Sequence, residues 1–173
     1  GVFQLESPGM TNVVRQMLAN IDDLPDDRLD ECFERMIAAV ALYRPGPMDY
    51  IPDYIEGMNN AAAVHYDCPE EEDILKPTYG VLVYQEQLMQ LAQKLAGYTL
   101  GRADVIRKGA AKKKKDVLAK EKAVFISGNK GAFESGKDKN FAPGCEGNGI
   151  SKHVAEEIWN KMEKFASYAF NRS

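Results

Sequence analysis

The residues with the clearest chemical purpose lie between Tyr98 and Lys122, YTLGRADVIRKGAAKKKKDVLAKEK. The stretch holds Arg102, Arg107, Lys108, Lys112, Lys113, Lys114, Lys115, Lys120 and Lys122 against Asp104, Asp116 and Glu121. Nine cations against three acids leave about +6 locally in a chain of net charge -4, so the remainder carries about -10. Segregation of this kind makes a field that draws anions. A row of cations projecting from a packed helix suits phosphate groups, whether of a nucleotide or of nucleic acid. The plainer alternative is a solvated helix end whose lysines complement the C-terminal dipole. Arg107 and Lys108 weigh against it, because they fall in the apolar half of the helix and not in its fringe.

Other spacings promise less. Arg44 sits in Tyr43-Arg44-Pro45-Gly46-Pro47-Met48, where two prolines around a glycine stiffen the backbone and could hold a guanidinium for a phosphate contact. His65 and Cys68 have a His-x-x-Cys spacing that Cys145 and His153 would have to complete as a metal site; incidental or buried thiols are the simpler reading. Gly131-x-x-x-x-Gly136-Lys137 has P-loop spacing, but Asp138 follows where Ser or Thr should reach magnesium, and no strand precedes it. No metal site is expected in the chain.

The elements that must position these residues are helical. Ser7-Pro8 is a capped helix start, and Met10, Val13, Val14, Met17 and Leu18 share one face. A second helix is predicted over about 27–43 after an acidic loop, with Leu29, Phe33, Ile37, Val40 and Ala41 inward. A short helix over 48–58 follows the Pro-Gly-Pro turn. Val81-Leu82-Val83-Tyr84 has strand propensity, yet the strongly periodic run after it predicts a helix over 79–96, stopped by Gly97. Thr99 caps the basic helix, which continues to about Ser127. Residues 128–149 form an irregular Gly-rich loop, and Val154, Ile158, Met162, Phe165 and Ala169 mark the last helix, with Trp159 beside them. The fold class is therefore all-α, with a possible minor extended segment.

The chain has 173 residues, 45% of them apolar, enough for one core. No apolar run reaches membrane-span length, and Gly1–Met10 lacks the basic start and apolar centre of a signal peptide. Three widely spaced cysteines form no disulfide framework and suit a reducing cytoplasm.

Several pieces resemble one family, the C-family replicative DNA polymerases of bacteria, the alpha subunit of DNA polymerase III. The opening GVFQLESPGM, then ALYRPGPM (41–48), TYGVLVYQEQLMQLAQKLAGYTLGRAD (78–104) and FASYAFNRS (165–173), are similar to the fingers region of that family, in the family's order. The resemblance implies that residues 1–173 are a fingers domain and that the parent is a DNA-directed DNA polymerase. It implies that the palm, with the carboxylates that hold two Mg2+ ions, lies upstream of Gly1. The family motif continues with histidine and alanine after Ser173, so a piece of a longer protein is expected. This chain would then hold no catalytic residue or cofactor of its own and be inactive alone.

By position, the resemblance makes Arg107 and Lys108 the basic pair that faces the incoming dNTP triphosphate, and Lys112 and Lys113 the lysine pair that follows it. Arg44, Asn171 and Ser173 would line the same cavity, and Lys114 and Lys115 would contact DNA. Tyr79, Tyr84 and Gln85 sit in a shared motif, with helix packing as the plain role. The implied partners are primer–template DNA, dNTP and the parent's other domains, with clamp and clamp loader engaged elsewhere, no membrane, and a cytoplasmic location. The sequence departs from the family at 108–111, where Lys-Gly-Ala-Ala stands for arginine, alanine, methionine and a small residue. A stand-alone helical module that binds nucleic acid or protein without catalysis is the alternative.

Overall fold

A computed structural model describes residues 5–21, 29–112, 114–166 and 168. The inward placing of the Leu29 side chain and the expectations for Lys113, Ala169, Asn171 and Ser173 fall outside what it describes. The fold is all-α: α1 (Pro8–Met17), α2 (Leu29–Leu42), α3 (Ile51–Asn59), α4 (Glu72–Leu75), α5 (Gln85–Ala96), α6 (Leu100–Ala111), α7 (Lys115–Ser127), α8 (Lys130–Glu134), α9 (Gly144–Gly147) and α10 (Lys152–Ala166). Short 3-10 turns link several of them. No described helix is long and apolar enough to cross a membrane.

Two apolar cores form. The smaller gathers α1, α2 and α3 around Met10, Met17, Leu42 and Tyr54. The larger gathers α5, α6, α7, α9 and α10 around Leu88, Leu91, Ile106, Phe125, Trp159 and Met162. Phe125 and Trp159 pack with ring centroids 5.4 Å apart. Tyr50, tilted at 46° against Phe165 with centroids 4.4 Å apart, packs against both cores.

The start of α1 follows its sequence: the Ser7 hydroxyl accepts from the Met10 N–H at 3.2 Å. In α2 the inward face is not the expected one, for Phe33 is 66% exposed. The buried positions are Arg35, Ala38, Ala39, Ala41 and Leu42, while Ile37 and Val40 are only partly covered. Small alanines let α2 come close to the methionines of α1, so the face chosen is the one that packs, not the one with the largest apolar residues. Arg35 can be buried there because its guanidinium donates to the Met17 carbonyl (3.4 Å) and the Tyr79 hydroxyl (3.3 Å) and pairs with Glu31 (3.5 Å).

Residues 79–84 are a second correction, since α5 begins only at Gln85. Tyr79 is left-handed (φ 53) and Gly80 follows at φ 81, which breaks any helix there. Val81 and Val83 enter the smaller core and Leu82 the larger one. The β-branched run is thus an extended strap buried on both sides, the alternation that strand propensity reflects. Its backbone must still be satisfied. The Gln87 side-chain oxygen accepts from the Val83 and Tyr84 N–H groups, both at 3.0 Å. Its amide nitrogen donates to the Thr78 hydroxyl at 2.8 Å, and that hydroxyl donates to the Val81 carbonyl at 2.6 Å.

The basic segment is not one continuous helix. Thr99 caps α6 as expected, accepting from the Arg102 N–H at 3.3 Å. The helix then ends at Ala111 and α7 begins at Lys115. Gly109 is buried where the two helices meet, and a β-carbon there would lie 3.4 Å from side-chain carbons of Val117 and Leu118, ordinary contact. Gly109→Ala should therefore raise stability by about 1 kcal/mol, the helix-propensity difference, read as a higher urea midpoint by circular dichroism. A lower midpoint would mean that α7 cannot accept the methyl group.

The 128–149 segment contains α8 and α9 and is closed at its base by backbone contact between two glycines. A β-carbon on Gly144 would lie 2.2 Å from the Gly128 nitrogen, so only glycine permits the approach.

Candidate functional site

The α6–α7 hairpin positions most of the expected phosphate ligands. Asp104 is the organising residue of α6. Its Oδ1 accepts from Arg107 Nε at 2.7 Å and pairs with a terminal guanidinium nitrogen at 2.6 Å, while Oδ2 pairs with Lys108 Nζ at 2.5 Å. The spacings are i,i+3 and i,i+4, which the sequence itself allows. Lys108 and then Arg107 hold the Asp104 carboxyl below the usual carboxylate range. Arg107 is 29% exposed and Lys108 61%, so the arginine is a fixed donor and the lysine a freer charge.

Lys112, Lys114 and Lys115 are exposed at the break between the helices, and Lys113 lies outside the described residues. The break changes the meaning of the lysine run. Lys112 at the end of α6 meets a negative dipole pole, but Lys114 and Lys115 sit at the start of α7, where the pole is positive. Cations there oppose the dipole by about 0.3–1 kcal/mol each. Fold stability gives no reason for them, whereas an anion held there would engage both lysine charge and the free N–H groups of the first turn.

Arg102, counted in sequence among the available cations, is withdrawn from the surface. Its Nε donates to Glu121 Oε2 at 2.9 Å and Nη2 to Oε1 at 3.2 Å; Nη1 donates to Asp138 Oδ2 at 2.6 Å. Its guanidinium lies over the Tyr98 ring at 5.0 Å, and the Tyr98 hydroxyl donates to the Glu121 carbonyl at 2.9 Å. Arg102 and Glu121 side chains are each 8% exposed. The pair joins α6 to α7, and Asp138 fastens the Gly-rich loop to both. Nothing local in the sequence marks this, because Arg102 meets partners 19 and 36 residues away.

Arg44 belongs to another part of the fold. Its Nε donates to the Ala41 carbonyl at 2.9 Å, closing α2, and Nη2 donates to the Tyr168 carbonyl at 2.6 Å. The expected cavity residues Asn171 and Ser173 lie outside the described residues. Tyr79 and Tyr84 are packing residues here: Tyr79 meets Tyr54 edge-on at 5.1 Å, and Tyr84 is buried.

A cleft of about 270 Å³ lies away from the hairpin, lined among others by Asp53, Glu56, His65, Asp67, Tyr79 and Lys161. Its acids make it unsuitable for a triphosphate. Beside it, Lys161 pairs with Asp67 and, at 3.4 Å, with the fully buried Glu71, whose carboxyl is pushed up by burial. Cys68 and Cys145 are buried in the larger core, while His65 and His153 are exposed and face Asp67 and Glu157 at 3.6 Å.

Comparison with known proteins now decides the family. Residues 1–132 match the bacterial DNA polymerase III alpha subunit finger domain. The chain belongs to this family. It is 39% identical over 173 residues to DNA polymerase III subunit alpha of Halalkalibacterium halodurans, covering 100% of this chain and 13% of that protein. The corresponding subunit of Chlamydia trachomatis is 42% identical over 173 residues, covering 100% and 12%, and that of Pseudomonas aeruginosa 40% over 179 residues, covering 99% and 13%. The finger-domain chain thus spans about one eighth of the length of these relatives.

Among the described residues no group of three His, Cys, Asp or Glu side chains could hold a metal. Of the carboxylates on and beside the hairpin, Asp104 is engaged by Arg107 and Lys108, and Glu121 and Asp138 by Arg102, while Asp116 is exposed in the first turn of α7.

Proposed function

We propose that residues 1–173 are the fingers domain of a template-directed DNA polymerase. The α6–α7 hairpin holds the triphosphate of the incoming dNTP and contacts template DNA. The observation that carries this reading is the set of lysines placed against the α7 dipole beside the Asp104-oriented Arg107 and Lys108. Electrostatic stabilisation of the triphosphate, and of charge developing on pyrophosphate, is the chemistry such an arrangement offers. Arg107 supplies a directed fork, and Lys108, Lys112, Lys114 and Lys115 supply field. Lys113, Arg44, Asn171 and Ser173 stay in the proposal as family-matched contributors. Mg2+ would be held by palm carboxylates outside this chain. The primer–template, the parent's other domains and a cytoplasmic location follow from the same reading.

Fluorescence anisotropy of a labelled primer–template with this chain, across a salt series, tests the hairpin. Binding should weaken with salt, by a slope of about 0.9 per duplex phosphate contact. Lys112→Gln/Lys114→Gln/Lys115→Gln should flatten the slope. An unchanged slope would remove the lysine turn from the interface.

A further inference from the structure

The loop after α7 has features that the polymerase-fingers reading does not use. The finger-domain match ends at residue 132, whereas the polymerase relatives align across the whole chain, Phe133 and Phe141 included. Both rings are exposed, 43% and 48%, and they pack on each other with centroids 5.5 Å apart at 53°. Two large apolar side chains are thus kept in solvent on a fixed frame. Asn129 builds that frame: its side-chain oxygen accepts from the Ala142 N–H at 2.7 Å, and its amide donates to the Asn140 carbonyl and to Asp138 Oδ2, both at 2.7 Å. Asp138 is in turn fixed by Arg102. The backbone N–H of Asp138 reaches the Ala132 carbonyl at 3.0 Å, closing the tip.

The loop carries a small positive excess, three lysines against Glu134 and Asp138. Lys130 is 79% exposed and stands 4.0 Å from Glu134. Lys137 and Lys139 are exposed and make no ion pair among the described residues. The remaining carboxylate of the tip, Asp138, is consumed by Arg102 and Asn129. Exposed aromatic faces with lysines around them match single-stranded nucleic acid, whose bases stack while its phosphates meet cations. A protein partner fits less well, because lysine is depleted from protein–protein interfaces.

We propose that the 129–142 loop is a stacking platform for single-stranded nucleic acid, with Phe133 and Phe141 receiving bases and Lys130, Lys137 and Lys139 meeting the backbone. It rests on the reading that this chain works against DNA. Asp138 ties the platform to Arg102, which stands about 15 Å along α6 from Lys112, so the platform would engage a strand segment other than the one held at the lysine turn.

The test uses the 173-residue chain with a fluorescein-labelled oligothymidine strand, and an abasic strand of equal length that keeps the phosphates and lacks bases. The base-bearing strand should bind about tenfold or more tightly, since stacking acts on bases alone. Phe133→Leu/Phe141→Leu should erase that difference while leaving the melting temperature unchanged, because both rings are exposed. Light-induced cross-links from an iododeoxyuridine strand to the unaltered chain should map to peptides containing Phe133 or Phe141. Equal affinity for the two strands, no binding of either at low salt, or a leucine variant that binds as before would overturn the proposal. The lysine-turn variant keeps the two readings apart: equal affinity for the two strands, with a salt slope that the lysine-turn variant flattens, sinks the platform alone, and a base preference with a slope that this variant leaves unchanged sinks the hairpin reading alone.

Discussion

Arg102→Met should lower the unfolding free energy by about 3–5 kcal/mol, the cost of breaking a buried ion pair by removing one partner. Glu121, 8% exposed, would keep its charge with no cation to meet it. Asp138 would lose its closest partner, and the loop its tie to α6. Urea unfolding followed by circular dichroism reads the loss. Arg102→Met/Glu121→Leu should recover most of it, because removing both charges removes the burial penalty as well as the attraction. A single variant within about 1 kcal/mol of the unaltered chain would show that the pair is not the joint between the helices.

The same network gives a pH dependence. Arg102 first, and Asn129 next, pull the Asp138 carboxyl down to about 2. A depressed carboxylate contributes stability that is present above its unfolded value, about 4, and is lost as pH falls through the folded value. Asp138→Asn should flatten the fall in stability between about pH 4 and 2 and leave neutral-pH behaviour less affected than Arg102→Met does.

Arg107→Ala, placed in the longer polymerase that carries the catalytic carboxylates, should reduce kcat/KM for dNTP by on the order of 10²–10³. Arg107 is the cation of α6 that combines partial burial with a fixed orientation, both set by Asp104. Arg107→Lys should recover little, because an ammonium cannot reproduce the directed fork. Lys108→Ala should cost less, since Lys108 is the more exposed and better screened of the two. Steady-state incorporation at varied dNTP concentration gives the numbers, and a loss below about tenfold for Arg107→Ala would take the triphosphate away from this helix.

Much of this was legible in the sequence. Ser7, Thr99 and Gly97 mark helix ends by chemistry local to a few residues, and the structure places the ends there. The stripe Ile158, Met162 and Phe165 is core because the one apolar face of α10 packs against α5, α6, α7 and α9. The excess of positive charge in 98–122 is a property of composition, and the order of the family-like segments is a property of the chain.

Tertiary structure decided what distant residues decide. Whether 79–84 would be helix or strap depended on two cores closing on opposite sides of Val81, Leu82 and Val83, and on Gln87 and Thr78 satisfying the backbone between them. Whether Phe33 or Ala38 faced inward depended on how closely α1 could approach. Above all, which of nine similar cations would be available depended on partners far along the chain. Arg102 is held by Glu121 and Asp138, while Lys112, Lys114 and Lys115 stay exposed at a break that periodicity does not reveal. Sequence fixes the amount of charge in a segment; its direction is set by long-range packing, since a buried cation must find its carboxylate wherever the fold brings one.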